Sequence, residues 1–77
     1  MNKQRRKWLE SVINHLEEQR DELSNIYDEE QEAYDNLPEG IQDSDRGYQM
    51  QENADELDSA SSDLDDIIER LYEIVES

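Results

Sequence analysis

Carboxylates are the only abundant side chains in this sequence that could do chemistry. Of its 77 residues, 23 are aspartate or glutamate and seven are lysine or arginine, so the formal net charge is -16. Acid–base catalysis needs a carboxyl pair inside a pocket that excludes water and separates the two pKa values. A chain of this length has little core with which to enclose such a pocket. We therefore expect a protein without enzymatic activity.

Two aspartates and one histidine are the candidates for metal binding. Asp43 and Asp45 resemble the beginning of an EF-hand calcium loop, which has glycine at its sixth position and glutamate at its twelfth. Here Gly47 falls at the fifth position and Ala54 at the twelfth. His15 is the only histidine and the chain has no cysteine, so a transition-metal site lacks ligands. We predict no metal site and no cofactor.

The elements that position these side chains follow from the leucines. Hydrophobic content is only 32%, so a fold depends on how regularly the apolar residues recur. In the first half leucine recurs every seven residues, and no proline or glycine precedes Pro38. A helix over residues 3–36 is therefore predicted, about 50 Å long. Its apolar positions are Leu9, Leu16 and Leu23 at heptad position a, Val12, Ile26 and Ala33 at d, and Ile13, Tyr27 and Tyr34 at e.

The second half of the chain repeats this heptad pattern. It predicts a helix over residues 45–76. Asp43 or Ser44 would cap its first turn, and Asp45 would lie where the helix dipole favours a negative charge. The apolar positions are Met50, Leu57, Leu64 and Leu71 at a, Ala60, Ile67 and Ile74 at d, and Ala54, Ile68 and Val75 at e.

Residues 37–44 lie between the two predicted helices and contain the helix breakers. Pro38 lacks the N–H that a helix interior needs, and Gly40 tolerates turn conformations. The chain is therefore expected to reverse here. Pairing Leu16 with Leu64 aligns the two leucine series and brings the basic N-terminal segment beside acidic residues at the end of the second helix. Such pairs favour an antiparallel arrangement, although each exposed pair contributes only about 0–1 kcal/mol.

Gly47 is the one breaker inside a predicted helix. Glycine there costs roughly 1 kcal/mol relative to alanine, so we expect the close approach of a bulky neighbour to compensate. The surrounding residues predict a small aromatic and aliphatic cluster at the turn. Its members are Tyr34, Leu37, Ile41, Tyr48 and Met50.

These patterns predict an all-α fold, an antiparallel two-helix hairpin of coiled-coil type in one domain spanning residues 1–77. A two-helix seam needs only positions a and d, and an a/d/e stripe is the width of a bundle helix. We expect a homodimer that forms a four-helix bundle; an isolated hairpin and ordering on another protein are the alternatives. The apolar residues expected to contact a partner or a second copy are Trp8, Ile13, Tyr27, Tyr34, Tyr48, Ile68 and Tyr72.

Charge is distributed unevenly, with a net of +2 over residues 1–20 and -18 over residues 21–77. An acidic body repels nucleic acid and anionic membranes and favours a protein with a basic surface. The second helix carries the densest acidic surface, which could bind such a partner or could only keep the chain in solution. Its residues are Asp55, Glu56, Asp58, Asp63, Asp65, Asp66 and Glu69.

The turn also carries a resemblance. The segment AYDNLPEGIQDSDRG, followed by an acidic, leucine-repeating helix, resembles a family of short acidic proteins of bacterial and phage genomes. The shared pattern covers about residues 33–57, from a YDNLPEG turn through Ser-acid-Arg-Gly into a helix. The resemblance implies a helical hairpin in a mobile genetic element and no particular reaction. Small acidic phage proteins often block host defence or DNA-handling proteins, which is an analogy at the level of class.

Two functions follow as expectations. The first is a phage-encoded inhibitor in the cytoplasm of a bacterial host. It would bind the basic surface of a host protein, as a nucleic-acid mimic would. It would bind no nucleic acid and no membrane itself. The second is a coiled-coil adaptor or assembly factor that acts through the apolar stripe.

Overall fold

Two long helices form a rod in a computed structural model that covers residues 1–77. Helix α1 spans Lys3–Asp35, the short α2 spans Glu39–Gln42, and α3 spans Asp45–Glu76; no strand is present. The Cα atoms extend over 59 × 14 × 12 Å. The predicted all-α class and elongated, coiled-coil-like form are confirmed. The segment predicted as a turn contains one turn of helix.

Side-chain caps define where the long helices begin. Asn2 Oδ1 accepts a hydrogen bond from the backbone N–H of Arg5 (2.8 Å) at the start of α1. At the start of α3, Ser44 Oγ accepts from the N–H of Gly47 (3.4 Å) and donates to the carbonyl of Ile41. Such caps satisfy N–H groups that have no partner inside the helix. Of the two predicted caps for the second helix, the structure uses Ser44.

Bonds across the hairpin establish its antiparallel direction. Arg6 Nη2 donates to the backbone oxygen of Ser77 (3.2 Å), and Arg20 Nη1 donates to Asp65 Oδ1 (2.8 Å). The first pair joins the beginning of α1 to the end of α3. We call this end of the rod the open end and the other, which contains α2, the turn end.

The seam between α1 and α3 uses positions a and e, which corrects the expectation of an a/d seam. Ile13, Ala54 and Ile68 are 1%, 0% and 3% exposed, and all three are e residues. The d residues instead face solvent, with Val12 39% and Ile26 49% exposed. The sequence led us to expect that the e residues would widen an a/d seam. Instead, the e residues form half of the seam itself. Also exposed at d are Ala33, Ala60, Ile67 and Ile74.

The register differs accordingly. The contacts of Arg6 and Arg20 shift α3 by about four residues, one helical turn, relative to a pairing of leucine with leucine. Leu16 therefore comes opposite Ile68, and an a residue of one helix faces an e residue of the other. Toward the turn end, the e positions of α3 carry small residues that are buried in the seam. These residues are Gly47, Ala54 and Ser61.

Gly47 is buried where α2 and the start of α3 meet. A Cβ atom there would lie 2.6 Å from the carbonyl carbon of Gln42 and 2.7 Å from the carbonyl oxygen of Ile41, and closer still to the Gln42 oxygen. The close approach expected at this glycine is present, and backbone rather than a bulky side chain makes it. Tyr48 is 59% exposed and Ile41 is 40% exposed, so neither belongs to a closed cluster at the turn.

Gly47→Ala should destabilise the hairpin by about 1–3 kcal/mol, because fixed backbone atoms cannot move away from the new Cβ. This cost exceeds the gain of roughly 1 kcal/mol in helix propensity. Gly40→Ala is the matched control, since its Cβ would meet nothing within 4 Å. Urea unfolding followed by circular dichroism measures both variants. Equal stability of the two would contradict the packing described at Gly47.

Two adjacent isoleucines test the a/e seam. Ile68→Ala should lower the free energy of unfolding by about 2 kcal/mol. This is near the lower end for a buried isoleucine, because the seam between two helices is a single layer of side chains. Ile67→Ala in dilute protein should cost less than about half as much, since Ile67 is 40% exposed. The free energies of unfolding from urea titration compare them. A larger loss of stability in Ile67→Ala than in Ile68→Ala would contradict the a/e seam and support an a/d seam.

Candidate interaction surfaces

No enclosed site exists on the rod. Its depressions are open grooves, such as the one formed by Glu30, Asn53, Glu56, Leu57 and Ala60. No group of three or more histidine or acidic side chains is placed to hold a metal ion. The arrangement can therefore offer surfaces to a partner, and these surfaces differ in charge and polarity around the rod.

The acidic residues singled out on α3 are all exposed. Only Asp65 among them forms an ion pair, with Arg20, whose guanidinium also contacts Asp21 at 3.2 Å. The hydrogen bond to Asp65 is the main cause that raises the pKa of Arg20. The remaining carboxylates are free to interact with an external cation or basic side chain. They are Asp55, Glu56, Asp58, Asp63, Asp66 and Glu69.

The apolar and aromatic residues expected to contact a partner do not form one surface. Ile13 and Ile68 are buried between α1 and α3, and Tyr27 and Tyr34 are half-buried at e positions of α1. Within the closed hairpin these four serve the intramolecular seam. The other three are exposed but separate: Trp8 (72% exposed) near the open end, Tyr48 near the turn and Tyr72 (41%) on the side opposite the d residues.

One interhelical bond identifies the two sides of the rod. The Tyr72 hydroxyl donates to Glu17 Oε1 (3.0 Å), and both residues occupy heptad position b. In an antiparallel pair whose seam is a/e, the b positions of both helices share one side and the d positions share the other. The bond from Tyr72 shows the first of these sides, and the groove that contains Glu30 and Ala60 lies on the second.

We call the second side the d face. It combines large apolar residues with a few polar ones and contains no carboxylate at any d position. Near the open end, Trp8 lies beside Val12 in an apolar groove that continues this face. In α1 the d face consists of Arg5, Val12, Gln19, Ile26 and Ala33, and in α3 of Arg46, Asn53, Ala60, Ile67 and Ile74.

Sequence reasoning missed the d face because positions d and e are equally apolar. Both would give a stripe with alternating spacings of three and four residues. The signal that separates them is side-chain size, since e of α3 begins with Gly47, Ala54 and Ser61 whereas d carries Ile67 and Ile74. Small residues are typical of positions where a neighbouring element packs closely, and Gly47 and Ala54 are both buried here.

Comparison with known proteins adds no relative: no protein-family model, no curated protein and no solved structure matches this chain. None of its helices combines the length and the apolar character that crossing a membrane requires.

Tyr72 should ionise above its ordinary pKa of 10.0, because the hydrogen bond to the Glu17 carboxylate raises the pKa of the phenol. The stabilisation from this bond is complete below pH 10 and is lost as pH rises through the raised pKa of the folded state. An ultraviolet titration of tyrosinate, compared with Tyr72→Phe, isolates this group. Glu17→Ala should lower its pKa, and an unchanged titration curve in that variant would refute the bond.

Proposed function

We propose that this protein is a non-enzymatic, acidic interaction protein that binds a basic surface of another protein. A bound partner that normally holds nucleic acid would be inhibited, because the rod would occupy the groove that the nucleic acid needs. The chemistry of the exposed side chains supports this proposal, since carboxylates are abundant and neither a nucleophile–base pair nor a metal-ligand cluster accompanies them.

Linear charge density is the observation that carries the proposal. A net charge of -16 over a length of 59 Å corresponds to one negative charge per about 3.7 Å. A single DNA strand carries one charge per about 3.4 Å, and a duplex one per about 1.7 Å. A partner's basic groove would therefore meet a linear density of negative charge on the rod that is close to that of one DNA strand. The net charge of -16 also exceeds the net charge that solubility of a small domain requires.

The free carboxylates of α3 supply the centre of the proposed contact. They lie on successive turns of a straight helix, where residues three and four apart are about 5–6 Å from each other. Because Asp65 already pairs with Arg20, the other six are the residues we assign to the partner. Long-range attraction from these charges would speed association and select basic partners.

The biological setting is also a proposal. The resemblance of residues 33–57 to short acidic proteins of bacterial and phage genomes supports a host protein of defence or nucleic-acid handling as the partner, met in the bacterial cytoplasm. Direct binding to nucleic acid or to an anionic membrane is not expected, since both carry the same sign of charge as the rod.

A second candidate function rests on the d face. Large apolar side chains at 39–49% exposure, among them Val12, Ile26 and Ile67, suit a coiled-coil adaptor or assembly factor, or a homodimer that forms a four-helix bundle. Substitutions that test this candidate belong at Ile67 or Ile74. Polar residues at Leu64 or Ile68 would instead open the hairpin, because both lie at seam positions.

Displacement of proteins from DNA tests the acidic function. Bacterial lysate is bound to immobilised duplex DNA, the pure protein is added, and released proteins are identified by mass spectrometry. We expect specific release that weakens at least about tenfold between low and high salt, because exposed charges are screened within about 10 Å at 0.1 M salt. Release that is independent of salt, or no release at all, would contradict the proposal.

Two variants with the same net charge provide the control. In the first, the six free acids of α3 become amides, and we expect release to be lost. In the second, six exposed acids of α1 become amides, and we expect release to be largely retained. Equal loss in both would mean that net charge alone acts, without a defined surface. The six acids of α1 are Glu18, Asp21, Asp28, Glu29, Glu32 and Asp35.

A further inference from the structure

The composition of the d face is not explained by an acidic binding function. Positions b, c, d and f all face solvent, yet sixteen of the 23 acids occupy b, c and f and none occupies d. Solvated helix faces are normally polar, whereas Val12, Ile26, Ile67 and Ile74 are exposed here. We propose that the d face binds a second copy of this chain in antiparallel orientation, so that the open end of each rod lies over the turn end of the other.

This inference deepens the second candidate function and rests on its apolar surface. The dimensions of the face are compatible with it. The Cα extents of 59 × 14 Å give this side of the rod a projected area of about 800 Å², similar to the surface that each partner of a standard interface buries. Two such faces would form a four-helix bundle in which every neighbouring pair of helices is antiparallel.

Charges that flank the face select the orientation. Position g borders d on both helices, and its character changes along the rod. Toward the open end it carries Trp8, His15 and Arg70, and from the middle of the rod toward the turn it carries the acids Glu22, Glu29, Glu56 and Asp63. A parallel dimer would place acids beside acids. The antiparallel dimer brings the basic and neutral half of one copy against the acidic half of the other, which favours association locally.

The same orientation also brings several apolar residues of the two d faces opposite one another. With the two-fold axis near Gln19, Val12 of one copy lies opposite Ile26 of the second copy. On the other pair of helices, Ile67 lies opposite Ala60 of the second copy, and Arg70 comes near its Glu56. Gln19 would meet its own counterpart, where two amides can hydrogen-bond to each other. An isologous interface of this kind is self-complementary and closes at two copies.

Association through the d face leaves most of the acidic surface free. Glu56 and Asp63 lie at g and border the interface, and the four other carboxylates assigned to the basic partner lie at b, c and f: Asp55, Asp58, Asp66 and Glu69. The carboxylates at b, c and f point away from this face, so both outer sides of the bundle remain acidic. The dimer would carry a charge of about -32, and this long-range repulsion weakens as salt screens it. Self-association should therefore strengthen with added salt, whereas binding of a basic partner should weaken.

Sedimentation equilibrium with Ile67→Asp tests the interface, and Ser62→Asp is its matched control. Both residues are exposed on α3 and both variants gain one negative charge, but only Ile67 lies on the d face. We expect the wild-type chain to be dimeric, Ile67→Asp to weaken the dimer at least about tenfold through burial of a charge, and Ser62→Asp to resemble the wild type. Circular dichroism verifies that each variant remains helical.

Two results would overturn the proposal. One is a wild-type chain that stays monomeric at all concentrations and salt levels. The other is an equal effect of the two aspartate substitutions, because an effect of net charge alone needs no d face. Neither result bears on displacement from DNA, which depends on carboxylates of α3 outside the d positions, so failure of the dimer and failure of the acidic function are distinguishable.

Cysteine cross-linking tests the orientation of the dimer. Because the chain has no natural cysteine, only the introduced cysteines can form a disulfide. Chains with Val12→Cys and chains with Ile26→Cys are mixed and oxidised. We expect the mixed disulfide between the two kinds of chain. A disulfide that forms instead between Ile26→Cys and Ala60→Cys chains would show the parallel dimer and overturn the orientation.

Discussion

Close approach of two backbones at Gly47 is the constraint on which the hairpin depends. The carbonyl groups of Ile41 and Gln42 occupy the space where any other residue would carry its Cβ. The contact joins the turn to the first turn of α3, on the side of α3 that also meets α1. From Gly47 onward, the buried positions follow at spacings of seven through Ala54, Ser61 and Ile68. Gly47 therefore lies in the same row of e positions that forms the α3 half of the seam.

The choice of seam has a consequence for the surface. A chain with apolar residues at a, d and e can close only one pair of these positions inside a two-helix hairpin. Because the e residues are buried in the seam, the apolar residues at d remain exposed to solvent. Single exposed apolar side chains are common on protein surfaces, whereas a continuous row of them is uncommon. The acids occupy the other outward positions. Most of the rod's surface is therefore acidic and one side is apolar. The two proposed interactions use different sides, except that Glu56 and Asp63 at position g border both.

Much of the architecture could be predicted from the sequence, for physical reasons that act locally. Leucines every seven residues, the absence of breakers before Pro38 and the cluster of breakers after it lead to two helices and a reversal. The position of the seam could not be predicted in this way. Val12 and Ile13 are neighbours with similar side chains, and helical periodicity assigns both to the apolar stripe, yet one is 39% exposed and the other 1%. The difference arises from packing against α3.

The sequence by itself determined the helical class, the reversal near Pro38, the unequal charge of the two ends and the acidity of α3. These properties depend on backbone propensity and formal charge, which need no partner element. Only the tertiary structure decided that Ile13 and Ile68 belong to the seam, that Arg20 pairs with Asp65, and that the d residues form a free face. Each of these depends on the register between the two helices, which joins residues far apart in the chain, such as Arg6 and Ser77, and which no local sequence pattern contains.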